Sequence, residues 1–464
     1  MKYNIIKVLA VSYYSAALSS EGFVFLSGET MGSKHHPQLF HNKYNQDHMD
    51  ISSFKKINPI HFNNEPIIDI KLSSNFCCAT SKQGNIYVWN CDVAMGHDIL
   101  LDNSNNSELP NKINDTHFNA EKIISIYSTS YYSFFALTNK KNLYAWGINE
   151  NQQLGVSSDD DEIKVPMLID PSTYNNETIK HVETDQRTTI ILTEEGNLYS
   201  CGSNCDLYLG SGEVKFDQKK YFSKISFDDG VKIKKISIGF LQCVALSCDG
   251  KVYQWGVCIL PYSETECCDC KYYNMGDENG LDENTERTIP ELIDPKKFNN
   301  EKIVDIDYGR NIGLFLSESN HLYTWGENVN GCLGCGNDDF ITDVVQIDKS
   351  HFGQENIKCI STCSDDYSGG FSMVSTDYGN VYAWGTNSDG QLGLGRYEKV
   401  YNEMYPFPKN TGMGIFGNCK EFKQKMYGQL PSFVDIKIEF GKKRKLDQAF
   451  SNKEINKNQT PNKK

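Results

Sequence analysis

One pentapeptide governs what this chain can become: an apolar residue, Tyr, any residue, Trp and Gly. It stands in full at Leu143–Gly147, Val252–Gly256, Leu322–Gly326 and Val381–Gly385. Ile86–Tyr87–Val88–Trp89–Asn90 loses the Gly, and Leu198–Tyr199–Ser200–Cys201–Gly202 loses the Trp. Val24–Phe25–Leu26–Ser27–Gly28 loses both aromatics, but the residues before it, Ala17–Gly22, align with Ala245–Gly250 ahead of a full copy. Counted at the Trp slot (positions 27, 89, 146, 201, 255, 325 and 384), the intervals are 62, 57, 55, 54, 70 and 59 residues. All five Trp of the chain occupy that slot. A period of this length marks a repeat architecture in which each unit buries its faces against its neighbours.

Each unit reads as short strands. Lys122–Ile126 and Phe134–Thr138 are β-rich apolar runs, a tight turn leads to Leu143–Trp146, and Val165–Asp170 follows a Gly/Asn-rich turn. Four short strands with turn signals make one propeller blade. The expected fold is therefore all-β, a seven-bladed β-propeller of four-stranded blades closed by N- and C-terminal strands. The repeats fall near 3–60, 61–118, 119–175, 176–230, 231–299, 300–354 and 355–441, with an insertion at 257–290. Phe433–Phe440 alternates largely apolar and charged residues, as a strand with one exposed face does. It is expected to pair with strands from the first fifteen residues. Deleting 431–464 should then lower the melting temperature sharply, whereas deleting only 442–464 should not.

Around the repeat, Trp146–Gly147–x–Asn149–x–Asn151–x–Gln153–Leu154–Gly155 and Trp384–Gly385–x–Asn387–x–Asp389–Gly390–Gln391–Leu392–Gly393–Leu394–Gly395 resemble the regulator-of-chromosome-condensation repeat. Trp325–Gly326–x–Asn328–x–Asn330–Gly331–x–Leu333–Gly334 agrees. The resemblance spans about residues 3–440. It implies a seven-bladed propeller, the same count reached from the repeats. It also implies either guanine-nucleotide exchange on the small GTPase Ran with chromatin binding, or an interaction scaffold. Family repeats carry Gly–x–x–His before the second strand, and a His in one such slot helps exchange. Here the seven slots hold Tyr14, Phe76, Ser133, Thr188, Gln242, Ile312 and Phe371. The exchange His therefore has no counterpart in this chain, which favours a scaffold for a protein partner over an exchange factor for a Ran-like GTPase.

Charge adds partner candidates. The chain carries 46 basic and 60 acidic side chains, a net −14, which argues against a protein that coats nucleic acid with its whole surface. The insertion 257–290 holds Glu264, Glu266, Asp269, Asp277, Glu278, Asp282, Glu283 and Glu286 against Lys271 and Arg287. Asp159–Asp160–Asp161–Glu162 is a second acidic run. Both are solvated loops at the least and candidate sites for a basic protein, such as a GTPase surface, at the most. Residues 442–464 run the other way, with eight Lys and Arg against Asp447 and Glu454. Within them Lys442–Lys443–Arg444–Lys445 reads as a nuclear-import signal or a weak nucleic-acid contact confined to a disordered tail.

Other chemistry is thin. His35, His36, His41 and His48 lack metal-ligand spacing, and so do Cys258, Cys267, Cys268 and Cys270. No metal or cofactor is expected. The sixteen cysteines are scattered, often in apolar runs, which points to free thiols in a reducing compartment, nucleus or cytoplasm rather than a secreted location. No run approaches the ~18–20 apolar residues of a membrane-spanning helix. No phosphate-binding loop, H-E-x-x-H or G-x-S-x-G motif occurs, so covalent catalysis is not expected.

Overall fold

The structure, a computed structural model, describes residues 3–393 apart from position 12 and several internal stretches, the longest being 29–38, 40–52, 90–108 and 258–285. These residues form seven antiparallel sheets, each a meander of consecutive strands. Six sheets have four strands and the seventh has three among the described residues. The first strands are Ile5–Val11, Ile67–Ser73, Ile123–Ser128, Ile179–Thr184, Ile233–Ile238, Ile303–Tyr308 and Ile357–Asp365. Each begins on an Ile that is buried.

The local sequence explains the layering. Second strands such as Ser133–Thr138 and Gln242–Ser247 are buried at every residue, because a neighbouring blade covers each face. They read as continuous apolar or small-residue runs rather than alternating ones, as strands covered on both sides do. The Tyr and Trp of the pentapeptide lie on the third strand and are buried in every blade that has them. Fourth strands are mostly exposed, as in Glu162–Leu168, where only Ile163 and Pro166 are buried.

The core is a chain of junctions. Separate apolar clusters join blades 7 and 1, 1 and 2, 4 and 5, 5 and 6, and 6 and 7, while one large cluster spans blades 2 to 4. Every junction of the ring is thereby filled, as a ring of blades requires.

Closure is visible within the described residues. Ser15 Oγ donates to Gln391 O at 2.6 Å, Ser27 Oγ donates to Gly390 O at 2.7 Å, and Ala10 N donates to Ser361 Oγ at 3.0 Å. These bonds tie blade 1 to blade 7. The strand Ile5–Val11 is the innermost strand of blade 1 and pairs with Tyr14–Ser19. The segment 433–440, expected to take part in closure, lies outside the described residues, as do all residues after 393.

Two blades lack the Trp. In blade 1 the slot holds Ser27 and in blade 4 Cys201, both fully buried. The space is filled from the fourth-strand side, by Phe54, just before the fourth strand Lys55–Lys56 of blade 1, and by Phe222 within that of blade 4. A side chain on Gly393, in the turn of blade 7, would come within 2.3 Å of the Phe54 ring. One on Gly155, in blade 3, would come within 2.5 Å of the Phe222 ring. Gly334 of blade 6 stands in the same relation to Trp384, at 2.8 Å. The Gly of each described turn therefore makes room for an aromatic of the next blade, whichever strand supplies it. At Gly155 and Gly393 a positive φ (66° and 70°) adds a second reason for glycine.

Candidate functional site

A meander places its turns alternately at two ends. The first-to-second and third-to-fourth connections leave one face of the ring, and the second-to-third and fourth-to-first connections leave the other. The long connections belong to the first of these, the loop face. Segment 258–285 joins the third strand Val252–Val257 to the fourth strand Glu286–Leu292 of blade 5. The run Asp159–Asp160–Asp161 occupies the equivalent connection of blade 3, between Leu143–Ile148 and Glu162–Leu168. The two acidic stretches singled out from sequence are thus topologically equivalent.

The acidic run of blade 3 is mounted on a fixed turn. Asn149 is fully buried, and its Oδ1 accepts from Leu154 N at 3.1 Å. Its Nδ2 donates to Asp160 O at 3.1 Å, and its main-chain N donates to Asp161 O at 2.7 Å. Gln153 Oε1 accepts from Asn151 N at 2.9 Å. This explains the Trp–Gly–x–Asn–x–x–x–Gln–Leu–Gly pattern. The Asn clamps the turn in blades 6 and 7 too, where Asn328 and Asn387 accept from Leu333 N and Leu392 N at 3.0 Å each. Asp159, Asp160 and Asp161 are all exposed. Asp159 pairs with Lys220 on the fourth strand of blade 4, and Asp160 accepts from Ser158 Oγ at 2.7 Å.

The remaining candidates, Glu264, Glu266, Asp269, Asp277 and Glu278 and the basic run Lys442, Lys443, Arg444 and Lys445, lie outside the described residues. So do His35, His36, His41, His48 and the cysteines of the insertion. Ten cysteines are described, and all are free thiols. Among the described residues no group of three or more His, Cys, Asp or Glu is placed to hold a metal ion.

The seven slots that would carry the family His lie at or near the start of the second strands. Six of them stand opposite the Gly that ends the pentapeptide, as Ser133 opposes Gly147 and Thr188 opposes Gly202. All seven are buried. Tyr14 OH donates to Ser73 O at 2.7 Å, Ser133 Oγ to Ile148 O at 2.9 Å, and Thr188 Oγ1 to Ser203 O at 2.7 Å. The Ser133 and Thr188 bonds lie within their own blades, and the Tyr14 bond crosses from blade 1 to blade 2.

The sequence reading missed two features. The first is a clip at the face opposite the loops. The stretches Phe62–Asn63–Asn64–Glu65, Phe118–Asn119–Ala120–Glu121, Tyr174–Asn175–Asn176–Glu177 and Phe298–Asn299–Asn300–Glu301 recur before the first strands of blades 2, 3, 4 and 6. In blades 3 and 4 the Glu accepts from a Thr and an Asn at the next turn: Glu121 from Thr138 at 2.7 Å and Asn142 at 2.9 Å, Glu177 from Thr193 at 2.7 Å and Asn197 at 2.8 Å. The first Asn of each stretch, at φ between 51° and 58°, donates to the pentapeptide Tyr hydroxyl, as Asn175 does to Tyr199 at 2.9 Å. The recurring Asn–x–Glu was the available signal.

The second is a polar lining of the central channel. Lys7 and Asp69 pair at 2.7 Å, His181 and Glu183 at 2.7 Å, and Lys235 and Asp305 at 2.7 Å. Lys71 touches Ser125, and its Nζ lies 3.4 Å from the centre of the Tyr127 ring. Burial pushes the Lys71 ammonium down to about 8. Asp307 is half-buried in the channel wall, and desolvation pushes its carboxyl up to about 6 against the pull of Lys235 and of the Thr362 N–H at 2.8 Å. These lining side chains come from the first strands of six blades, and sequence spacing alone does not bring such strands together.

Seven antiparallel blades in a closed ring, with aromatic latches between blades, define a β-propeller. Residues 303–332 and 378–411 each match the regulator of chromosome condensation (RCC1) repeat. The chain thus carries repeats of that kind within a seven-bladed ring, and it is similar to proteins built from them. It is 24% identical over 308 residues to the ultraviolet-B receptor UVR8 of Arabidopsis thaliana, covering 66% of this chain and 62% of that protein. It is 26% identical over 256 residues to the secretion-regulating guanine nucleotide exchange factor of Bos taurus, covering 54% of this chain and 49% of that protein. The chain thus spans about half to three-fifths of the length of these relatives. The fold matches that of Prp20p from Saccharomyces cerevisiae, whose crystal structure was solved with a study of its binding to Gsp1p and histones. The TM-score is 0.59 at 18% identity, with 83% of this chain and 84% of that one covered. Among the described residues no helix is long and apolar enough to cross a membrane.

Proposed function

We propose that this propeller is a protein-interaction scaffold that holds a basic partner on its loop face. The observation that carries this reading is the outward-facing run Asp159–Asp161, fixed to the ring by the buried Asn149. A rigid ring presenting anchored carboxylates attracts a basic surface without ordering the loop on binding, which lowers the cost of association. The acidic residues of 257–290, in the equivalent connection of blade 5, extend the same field, with Glu264, Glu266, Asp269, Asp277 and Glu278 as contacts. The basic run Lys442–Lys445 serves nuclear import, and contact with nucleic acid is confined to the tail. Location in nucleus and cytoplasm follows from that assignment.

Nucleotide exchange on a Ran-like GTPase is the second reading. It is supported by the name of the bovine relative, and it is weakened by seven buried slots without a His.

One experiment separates the two. Fluorescent-GDP release from a panel of small GTPases is followed at catalytic amounts of the protein, and binding of the same GTPases and of core histones is followed by calorimetry. The scaffold reading expects saturable binding of a basic protein without accelerated release. It also expects that binding to weaken at least tenfold in the triple variant D159N/D160N/D161N, with the melting temperature unchanged. Accelerated release from any GTPase would replace the scaffold reading with exchange. Binding insensitive to the triple variant would remove the loop face from the assignment.

A further inference from the structure

The face opposite the loops carries a second ordered set of side chains, independent of the acidic one. Every first strand has a β-bulge at the same place. The register against the second strand jumps between Ile5 and Lys7, Ile67 and Asp69, Ile179 and His181, Ile233 and Lys235, Ile303 and Asp305, and Ile357 and Cys359. In blade 3 the same jump leaves Ile124 as the extra residue. A bulge re-aims the side chain of the residue it inserts. Here the inserted residues are Ile6, Ile68, Ile124, Lys180, Lys234, Val304 and Lys358, one per blade in ring order.

Their place is fixed by their neighbours. Each comes one residue after the buried Ile that opens its strand, and that Ile abuts the second-to-third turn of the preceding blade. Gly22 O accepts from Ile67 N at 3.1 Å, Gly196 O from Ile233 N at 2.9 Å, and Gly250 O from Ile303 N at 3.0 Å. The inserted residues therefore ring the channel mouth on the face away from the loops.

Three consecutive blades contribute exposed isoleucines: Ile6 at 46%, Ile68 at 55% and Ile124 at 37%. Tyr378, at 67%, belongs to the blade 7 turn whose Gly379 lies against Asn4 and Ile5. The next two blades contribute Lys180 and Lys234, held side by side by a hydrogen bond from Lys180 Nζ to Lys234 O at 3.2 Å. Lys358 closes the ring from blade 7, and it is exposed. The adjoining turns carry both signs: Glu194 and Glu195 of blade 4 are exposed and Asp249 of blade 5 pairs with Lys251 at 3.1 Å, against the further exposed lysines Lys232 and Lys302. Exposed β-branched residues gathered on one rim mark an interaction site rather than scattered surface apolars. On a chain of net −14, a lysine arc beside them sets the sign of the partner.

We propose that this rim docks a short peptide segment of a partner protein in which aliphatic side chains stand beside Asp or Glu. The aliphatic residues lie on the arc Ile6–Ile68–Ile124, and the carboxylates meet Lys180 and Lys234. The proposal does not rest on the loop-face assignment. Together the two faces make the ring a bridge between a basic partner and an acidic–apolar one.

The test is selection of a random twelve-residue peptide library displayed on phage against the full chain, followed by fluorescence anisotropy of the enriched peptides. Two variants are compared, I6S/I68S and K180E/K234E, with D159N on the opposite face as the control. All but the half-buried Lys234 are exposed, and the melting temperature of each variant checks folding. The expected result is enrichment of sequences that combine Asp or Glu with Leu, Ile or Val. Their affinity should fall at least tenfold in each rim variant, stay unchanged in D159N, and weaken as salt is raised. Enrichment of basic peptides, or binding that neither rim variant weakens, would overturn the proposal. Loss with K180E/K234E alone would also overturn it, because the face would then be a charge patch with no apolar register.

Discussion

Blades 1 and 4 differ from blades 2, 3, 5, 6 and 7 at one slot, and the ring does not register the difference. Where five blades bury a Trp on the third strand, these two bury Ser27 and Cys201 and bring in Phe54 and Phe222 from the fourth-strand side. The exchange is reciprocal. Phe54 and Phe222 stand three residues before the Ile whose amide donates to the opening residue of the third strand (Ile57 and Ile225). The same place holds Pro110, Pro166 and Pro290 in blades 2, 3 and 5, and Val344 before Ile347 in blade 6. A Trp is thus accompanied by a small or rigid residue opposite, and a small residue by a Phe. The repeat conserves an aromatic volume against the glycine of the preceding turn, not a residue at a position. Interiors packed to crystal-like density allow this, since volume and shape decide and the strand of origin does not.

The most direct way to break that comparison is to empty one slot. Phe222→Ala removes the ring that fills blade 4 while leaving Cys201 in place, and should destabilise the protein by about 3–5 kcal/mol. Phe54→Ala should cost a similar amount at the junction that closes the ring. Denaturant midpoints at unchanged m-value would measure both. A loss below about 1 kcal/mol for Phe222→Ala would show that the ring does not fill the Trp space.

A smaller effect sharpens the same point. Cys201→Trp alone adds an indole to a filled junction and should cost about 1–3 kcal/mol through overpacking. Combined with Phe222→Ala, the Trp enters the vacated space, and the double variant should be more stable than Phe222→Ala alone. The coupling in a double-mutant cycle should then be favourable and above about 1 kcal/mol, the size expected for residues sharing one cavity. Additive losses would mean that the two aromatics occupy different space.

The pentapeptide made the fold legible. Its spacing alone gives seven blades, because a Trp that must sit between two blades has to recur once per blade. The two exceptions were legible as losses of Trp but not as exchanges. Phe54 and Phe222 lie far along the chain from Ser27 and Cys201, and only strand pairing brings them together. The acidic run at Asp159 was readable as a loop, and what the sequence hides is Asn149 beneath it. The inserted residues of the first strands were invisible for another reason. A bulge reads in sequence as one more apolar or charged residue in a strand, and its exposure follows from a register that pairing alone reveals.

The smallest expected effect asks whether the exchange is confined to the interior. The polar clip above each blade is built alike in both kinds: Glu121 accepts from Thr138 and Asn142 in blade 3, which has a Trp, and Glu177 accepts from Thr193 and Asn197 in blade 4, which does not. At both sites burial works against the carboxylate, and the hydrogen bonds outweigh it and hold the group below the usual glutamate range. A depressed carboxyl adds stability that is present above the unfolded glutamate value, about 4.3, and lost as pH falls through the folded value. Glu121→Gln and Glu177→Gln should therefore each cost about 1–2 kcal/mol at pH 7, and each should flatten the acid limb of the stability curve below about pH 4. Glu121 is only 6% exposed and Glu177 half-buried, so a thin solvent edge trims the effect toward the lower end. If the clip is indifferent to the aromatic beneath it, the two losses agree within about 0.5 kcal/mol. A clearly larger loss in blade 4 would mean that Tyr199, whose hydroxyl also donates to Glu177 at 2.8 Å, transmits the missing indole to the surface. The blade would then be rebuilt from core to rim rather than at one slot.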